Sequence, residues 1–534
     1  MSWRRVSLKL IGYSATATVV VSSIAYKYGQ RNCSINIPQG DSFPNGSTTR
    51  LTDLKPPKYC SDVSKFIPEL KNCGIQIVNS KPEIEHHTGN DFTTHKPLAN
   101  EVPEYVAYPK TTEEVSQLLK ICNREKIPVV PFSGGSSLEG HFHSTRPGSI
   151  VVDTSKMNKI LAINENDLDV VVQAGVNWQQ LNSALQPYEL FFGTDCGPQG
   201  LISGMIGTNA SGINASRYGA MSANVISITA VLADGTIVKT RQRPRKSSAG
   251  YNLTNLFIGS EGTLAIVTEA VCKVYPKPRS ETVVVVQFPS ILEATKTVAR
   301  VFRVGIQPSA IELLDGDMMH CLNYSGYITR PWLELPTVFF KIGGINDVVV
   351  KENVSVLEEI TKENQAKSFT FAENKQEQEE LFSARKNAFY AMINWGKNEI
   401  DEDVRIWVTD IAVPLSRLSS VLHEINKMIK ASKFRSIILA HAGDGNFHAD
   451  IFYKENEKVQ VEALVDQMIK LGLRNEGTAT GEHGIGNAKR RFLELELGND
   501  TINMMRKIKV SLDPNRILNP DKIFKIDPND KGEY

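Results

Sequence analysis

The sequence predicts an α+β protein in two large parts. Between residues 104 and 278, short apolar runs alternate with an amphipathic helix and glycine turns. Three glycine-rich loops crowd into residues 131–270. After Pro278 the pattern changes to strands and helices of a separate α/β domain. The chain's 534 residues exceed what one hydrophobic core serves and fit about three domains at ~150 residues each. Apolar residues make up 41% and charged residues 22%, which excludes wholesale disorder and a polytopic membrane protein. Sixty basic against 59 acidic residues leave a net charge of +1, so no global field favours nucleic acid. The seven cysteines are odd in number and form no CxxC, which argues for reduced thiols over a disulfide framework or thiolate zinc site.

Residues 1–40 stand apart. They carry Arg4, Arg5, Lys9, Lys27 and Arg31, no acid, and the uncharged run LIGYSATATVVVSSIAY. The expectation is a mitochondrial presequence whose apolar run anchors in the inner membrane; a secretory signal peptide is the alternative. Residues 41–100 read as a polar linker and lead-in segment with one short helix, and His86, His87 and His95 as solvated loop histidines.

Each element of the first part has a local cause. In TTEEVSQLLKICNREK a hydroxyl cap precedes acids in the first turn, and Val115, Leu118, Leu119 and Cys122 recur at helical spacing. IPVVPFSGG reads as a strand entering a glycine turn, IVVD and DVVVQAG as buried strands, and SITAVLADGTIVKT as a hairpin turning on Asp234-Gly235. The loops PFSGGSSLEG (131–140), CGPQGLISGMIGTNASGINASRYG (196–219) and GYNLTNLFIGSEGTLAIVTEA (250–270) place small residues where backbone N–H groups can close on an anion. None fits GxGxxG opening a Rossmann helix, and GxxxxGK[ST] is absent. Together they point to a flat, pyrophosphate-bearing cofactor.

In the second part, TVVVVQF and PTVFFKI are strand candidates, and KENVSVLEEITKEN and LFSARKNAFYAMINW helix candidates. IILAHAGDGNFHADIF reads as a hairpin that brings His441 and His448 to one end. A helix then leads into TGEHGIG, with Glu482 and His483 between glycines. Two neutral imidazoles and a carboxylate suit Zn²⁺ or Mn²⁺ with positions open for substrate. A histidine pair alone is more often structural.

The ordered set PFSGGSSLEGH, NASGINASRYG, RPRKSSAGYNLTNLFIGSEGT, HAGDGNFH, GEHGIG and DPNRILNPDKIF resembles the FAD-dependent D-lactate dehydrogenases of the vanillyl-alcohol-oxidase flavoprotein group, in particular their mitochondrial, cytochrome c-reducing type. The resemblance runs from about residue 104 to the end. It implies a two-subdomain FAD-binding domain of the vanillyl-alcohol-oxidase (PCMH) type at 101–279. An α/β cap domain with an antiparallel sheet follows at 280–485, and 486–534 return to the FAD domain. It implies FAD contacts at Ser133, Gly134, Gly135, Ser136, Ser137, Asn209, Ser211, Gly212, Glu261, Gly262 and Thr263. The flavin is expected to be noncovalent, since Ser136 stands where some relatives carry a flavin-linked histidine, and His141 and His143 are expected to be structural. The family's metal ligands map onto His441, His448 and Glu482, its proton-abstracting histidine onto His483, and its carboxylate-binding arginine onto Arg385. Asp410 and Pro414 match another active-site stretch to which no role is assigned.

The implied reaction is oxidation of D-lactate, or a similar small D-2-hydroxy acid, by hydride transfer to flavin. Cytochrome c in the intermembrane space would be the electron acceptor. Ser136, Cys196, Ser203, Ala265 and Ala440 depart from the family pattern and bear on FAD affinity and rate. The alternatives are a dehydrogenase for another D-2-hydroxy acid such as 2-hydroxyglutarate, and a catalytically impaired paralogue. Asp450, near His448, disfavours a dianion.

Overall fold

The computed structural model describes residues 57–526 apart from 91, 92, 94, 329, 330 and 373. The presequence and anchor expected at 1–40 lie outside the described residues. Among the described residues no helix is long and apolar enough to cross a membrane.

The first sheet has four strands in the order Gln76–Val78, Tyr105–Tyr108, Ile150–Asp153 and Val129–Phe132. The last three run parallel, and the first is an antiparallel edge. The helix Thr112–Glu125 makes the crossover. Thr111 Oγ1 accepts from the Glu114 N–H at 3.1 Å, and Lys126 closes the helix in the left-handed region. Its Val115, Leu118, Leu119 and Cys122 are buried against Ile150 and Val152, the face expected from the spacing. The second sheet is antiparallel, in the order Ile160–Asn164, Asp169–Gln173, Ile266–Lys273, Val225–Val231 and Ile237–Lys239. Its last hairpin turns at Asp234-Gly235. Only Gly235 has a positive φ, +83°, while Asp234 Oδ1 accepts from the Thr236 N–H.

Part of the segment read as a linker is folded. Gln76–Val78 supplies the sheet edge, and the helix Lys81–His86 lies against the same layer. His87 is therefore not a solvated loop histidine. It is fully buried, with Nε2 3.0 Å from Asp153 Oδ2 and Nδ1 2.8 Å from the Glu83 carbonyl. His86 remains exposed.

Beyond residue 279 an antiparallel sheet runs in the order Ser368–Phe371, Ser280–Gln287, Thr337–Gly344, Ala310–Leu314, Ser436–His441, Asn446–Tyr453 and Arg405–Trp407. Helices cover both faces, which is why TVVVVQF is an unbroken apolar run. Val284 and Val286 belong to one continuous apolar layer with Val298, Leu422 and Val465. Val283 and Val285 belong to the layer on the opposite face, with Met319, Leu381 and Met392.

The last described residues pass along the first sheet. The Val129 N–H donates to the Ile517 carbonyl at 2.8 Å and the Asn519 N–H to the Val129 carbonyl at 2.7 Å. Lys509, fully buried in the helical segment Arg490–Leu512 beyond its kink at Gly498, clasps this return. Its Nζ donates to the Thr263 carbonyl (2.6 Å), the Leu518 carbonyl (2.7 Å) and Asp513 Oδ2 (2.6 Å). Lys509→Met leaves Asp513 buried without its cation and should lower unfolding stability by about 3–5 kcal/mol. A urea transition midpoint unchanged from wild type would show that this clasp stabilises nothing.

Candidate active site

A cleft of about 590 Å³ opens along the glycine loops and reaches residues of the domain beyond residue 279. Ser133, Gly134, Gly135, Ser136, Ser137, Ser211, Gly212, Glu261 and Gly262 border it, as do Arg385, His441, Glu482 and His483. Asn209 and Thr263 do not. Asn209 ends the helix Ile202–Thr208 at φ +52°, and its Oδ1 accepts from the Ser222 N–H at 2.8 Å. Thr263 Oγ1 donates to the Ser260 carbonyl at 2.7 Å, and its own carbonyl is held by Lys509. The backbone approaches closely at Gly134, where a Cβ would lie 2.1 Å from the Gln199 carbonyl oxygen. Ser203, a departure from the resembled pattern, is accommodated. Its hydroxyl lies 2.6 Å from Ser133 Oγ and 3.1 Å from Thr154 Oγ1, and both partners also border the cleft.

The expected hairpin forms, Ser436–His441 pairing with Asn446–Tyr453. His441 opposes Asn446 and Leu439 opposes His448, so the two imidazoles are diagonal neighbours on one face. Their centroids are 5.7 Å apart and their planes cross at 89°. His441 Nε2 and His448 Nε2 lie 3.2 and 3.3 Å from the same oxygen, Glu482 Oε1. The opposite nitrogens are engaged: His441 Nδ1–H donates to Glu312 Oε1 at 2.9 Å and His448 Nδ1–H to the Thr409 carbonyl at 2.7 Å. Both rings are thereby held in the tautomer that presents an Nε2 lone pair to one point, an arrangement that fits a divalent cation. With protons alone, burial disfavours the His441 imidazolium. The Glu312 and Glu482 carboxylates outweigh that and hold its pKa well above the ordinary value. Glu482 is likewise held well below its ordinary value against burial, chiefly by His441.

Glu312, in the apolar strand Ala310–Leu314, does a second task. Its Oε2 accepts from Arg385 Nε at 2.7 Å, which fixes the guanidinium at the cleft wall. The Arg385 helix, Lys375–Glu399, covers the sheet face that carries His441, since Ala384 and Ala388 pack with Leu439, Ala310 and Leu314. His483 stacks on His448, with centroids 5.1 Å apart at 13°. Its Nδ1 faces Glu139 Oε1 at 3.7 Å and Asp410 Oδ2 at 3.9 Å. Burial opposes its charging, yet Asp410 and Glu139 raise its pKa above the ordinary value.

Asp410, matched in sequence without a role, positions this loop. Its Oδ2 accepts from the Glu482 N–H (3.0 Å), the His483 N–H (2.8 Å) and Thr480 Oγ1 (2.7 Å). Glu261 grips the loop from the glycine-rich side, Oε1 accepting from the Ile485 N–H at 2.6 Å and Oε2 from the Gly486 N–H at 2.8 Å. Sequence reasoning missed Glu312, Glu139 and Lys489, whose Nζ lies 3.0 Å from Glu139 Oε1 and 3.7 Å from Asp410 Oδ2. The one local signal was an acid inside the apolar run AIELL.

Residues 103–241 match a family described as FAD binding domain, and residues 277–523 match FAD linked oxidases, C-terminal domain. The mitochondrial D-lactate dehydrogenase (cytochrome) of Kluyveromyces lactis is 48% identical, with 91% of this chain and 85% of that protein covered. D-lactate dehydrogenase (cytochrome) 1, mitochondrial, of Saccharomyces cerevisiae is 47% identical with the same coverage of each. A crystal structure of p-cresol methylhydroxylase with substrate bound has a TM-score of 0.68 at 16% identity, over 88% of this chain and 97% of that one. That likeness shows the PCMH-type α+β fold. The chain is an FAD-linked oxidoreductase and belongs to the mitochondrial D-lactate dehydrogenase (cytochrome) family.

Proposed function

We propose that this enzyme oxidises D-lactate, or a D-2-hydroxy monocarboxylate of similar size, to the 2-oxo acid, with noncovalently held FAD and cytochrome c as successive acceptors. The observation that carries the reading is that Arg385, His441, Glu482 and His483 line the same cleft as the glycine loops. Oxidation removes a hydride from C2 and a proton from the hydroxyl. FAD bound along the loops would supply the hydride acceptor, and a divalent metal (Zn²⁺ or Mn²⁺) held by His441, His448 and Glu482 a Lewis acid for the hydroxyl. Arg385, anchored through Nε, offers its terminal nitrogens to the substrate carboxylate. His483 takes the hydroxyl proton at Nε2, while Glu139 and Asp410 on the Nδ1 side stabilise the imidazolium.

Substrate size follows from charge. Among the described residues lining the cleft, Arg385 is the single arginine or lysine. A second carboxylate, as in 2-hydroxyglutarate, would enter without a cation to meet it. The basic, acid-free segment 1–40 supports import and attachment to the inner membrane on the intermembrane-space side, where cytochrome c can collect the electrons.

His441→Ala and Glu482→Gln should each abolish D-lactate-driven cytochrome c reduction while the purified protein keeps its flavin absorbance; turnover at the wild-type rate would remove the metal assignment. Glu312→Gln should weaken metal binding by about 10–100-fold, read by competition with a chelating dye. Arg385→Ala should raise the D-lactate KM by roughly 10- to 150-fold, the equivalent of one charge-assisted hydrogen bond. An unchanged KM would end the clamp role. In a panel of D-2-hydroxy acids, D-lactate should bleach the flavin and D-2-hydroxyglutarate should not. The reverse order would move the substrate class to dicarboxylates.

A further inference from the structure

A second histidine–carboxylate cluster lies on the glycine-rich side of the molecule, and none of its members borders the cleft. His95 Nε2 is 3.8 Å from Glu101 Oε2. The His143 ring stacks on His95 with centroids 5.6 Å apart at 28°. One ligand atom from each of the three lies within 4.8 Å of the others. His143 is fully buried, yet neither of its ring nitrogens has a hydrogen-bond partner, and His95 Nε2 has none either. Buried polar atoms without a protein partner are rare, and here three of them belong to two adjacent imidazoles.

We propose that His95, Glu101 and His143 form a structural Zn²⁺ site, separate from the one assigned to His441, His448 and Glu482. Two imidazoles and one carboxylate are a zinc donor set. Lys522 Nζ donates to the His143 carbonyl at 2.7 Å, which leaves both His143 ring nitrogens free. His95, with 19% of its side chain exposed, gives an entry path.

The site would act as a clip. The chain around it supports the first glycine loop: Thr93 Oγ1 donates to the Leu138 carbonyl at 2.8 Å, and Asn90 Nδ2 to the Gly135 and Ser137 carbonyls at 2.8 Å each. On the other side, Thr145 Oγ1 donates to the Pro520 carbonyl at 2.8 Å. One ion would therefore join the lead-in segment to the stretch after the glycine loop, which itself holds the chain's return, without touching substrate.

The test is anomalous diffraction at the zinc edge from crystals of the wild-type protein supplied with stoichiometric ZnCl₂. Metal counts would be taken on wild type, Glu101→Gln and His143→Gln. A peak between His95, Glu101 and His143 is expected. Each variant should lose one zinc per chain, keep wild-type turnover, and lose the drop in Tm that a chelator causes in the wild type. No peak there, or a peak confined to His441, His448 and Glu482, would overturn the inference. A peak here and none at that other trio would uphold it while removing the active-site metal. If either variant fails to fold, the wild-type map still decides.

Discussion

The arrangement of this enzyme depends on two buried carboxylates that hold one loop from opposite sides. Asp410, from the cap, takes the amides of Glu482 and His483; Glu261, from the third glycine-rich loop, takes those of Ile485 and Gly486. A carboxylate accepting backbone N–H groups out of water is among the stronger neutral–ion contacts available to a protein, about 1.5–3 kcal/mol per bond. Here four such bonds fix the stretch that carries Glu482 and His483. The stretch tolerates little else. A Cβ on Gly484, at φ +82°, would sit 2.6 Å from His141 Nε2, and one on Gly486 1.9 Å from the Glu139 carbonyl oxygen. The glycines of GEHGIG are therefore where the cap and the flavin side close on each other, and the distance from His483 to the cleft follows from that closure.

Glu312 has a comparable role one layer away. A single buried carboxylate orients His441 through one oxygen and Arg385 through the other. Arg385 and His441 therefore cannot shift independently of each other. Its placement follows from strand pairing: Leu313 pairs with Ala440, which brings the residue before the one beside the residue after the other. A carboxylate at this place also needs its partners. Burying it without Arg385 and His441 would leave a charge in the apolar layer formed by Ala310, Leu314 and Leu439.

What the sequence made legible was whatever is local. The alternation in IILAHAGDGNFHADIF contains the hairpin, its turn and the shared face of His441 and His448. The glycine loops announce close backbone approach, and GEHG announces a turn bearing two titratable groups. Glu312 was hidden because its partner lies 129 residues away and its own neighbourhood reads as an ordinary buried strand. Lys489 and Glu139 were hidden for the same reason, since their pairing joins distant segments. The two loop residues that turn away from the cleft, Asn209 and Thr263, show the converse limit. A motif fixes which backbone stretch approaches the ligand, while the φ of +52° at Asn209 and the bond from Thr263 to Ser260 decide where each side chain goes.

The departures from the family pattern are best judged by what their atoms meet. Ser203 gains two hydroxyl partners instead of crowding the loop. Ala265 is buried in the apolar wall with Ile206 and Phe257, so its methyl adds to packing there. Cys196 lies under Gly200, where a Cβ would come within 2.3 Å of its Sγ. Burial pushes that thiol up to about 12, so it stays neutral and behaves as a small apolar side chain. Each of these three replacements thus has a local compensation in a neighbouring hydroxyl, an apolar layer or a glycine. The acids at the far end of the cleft have no such latitude, because Glu312 is already committed to Arg385 and His441, and Asp410 to the amides of Glu482 and His483.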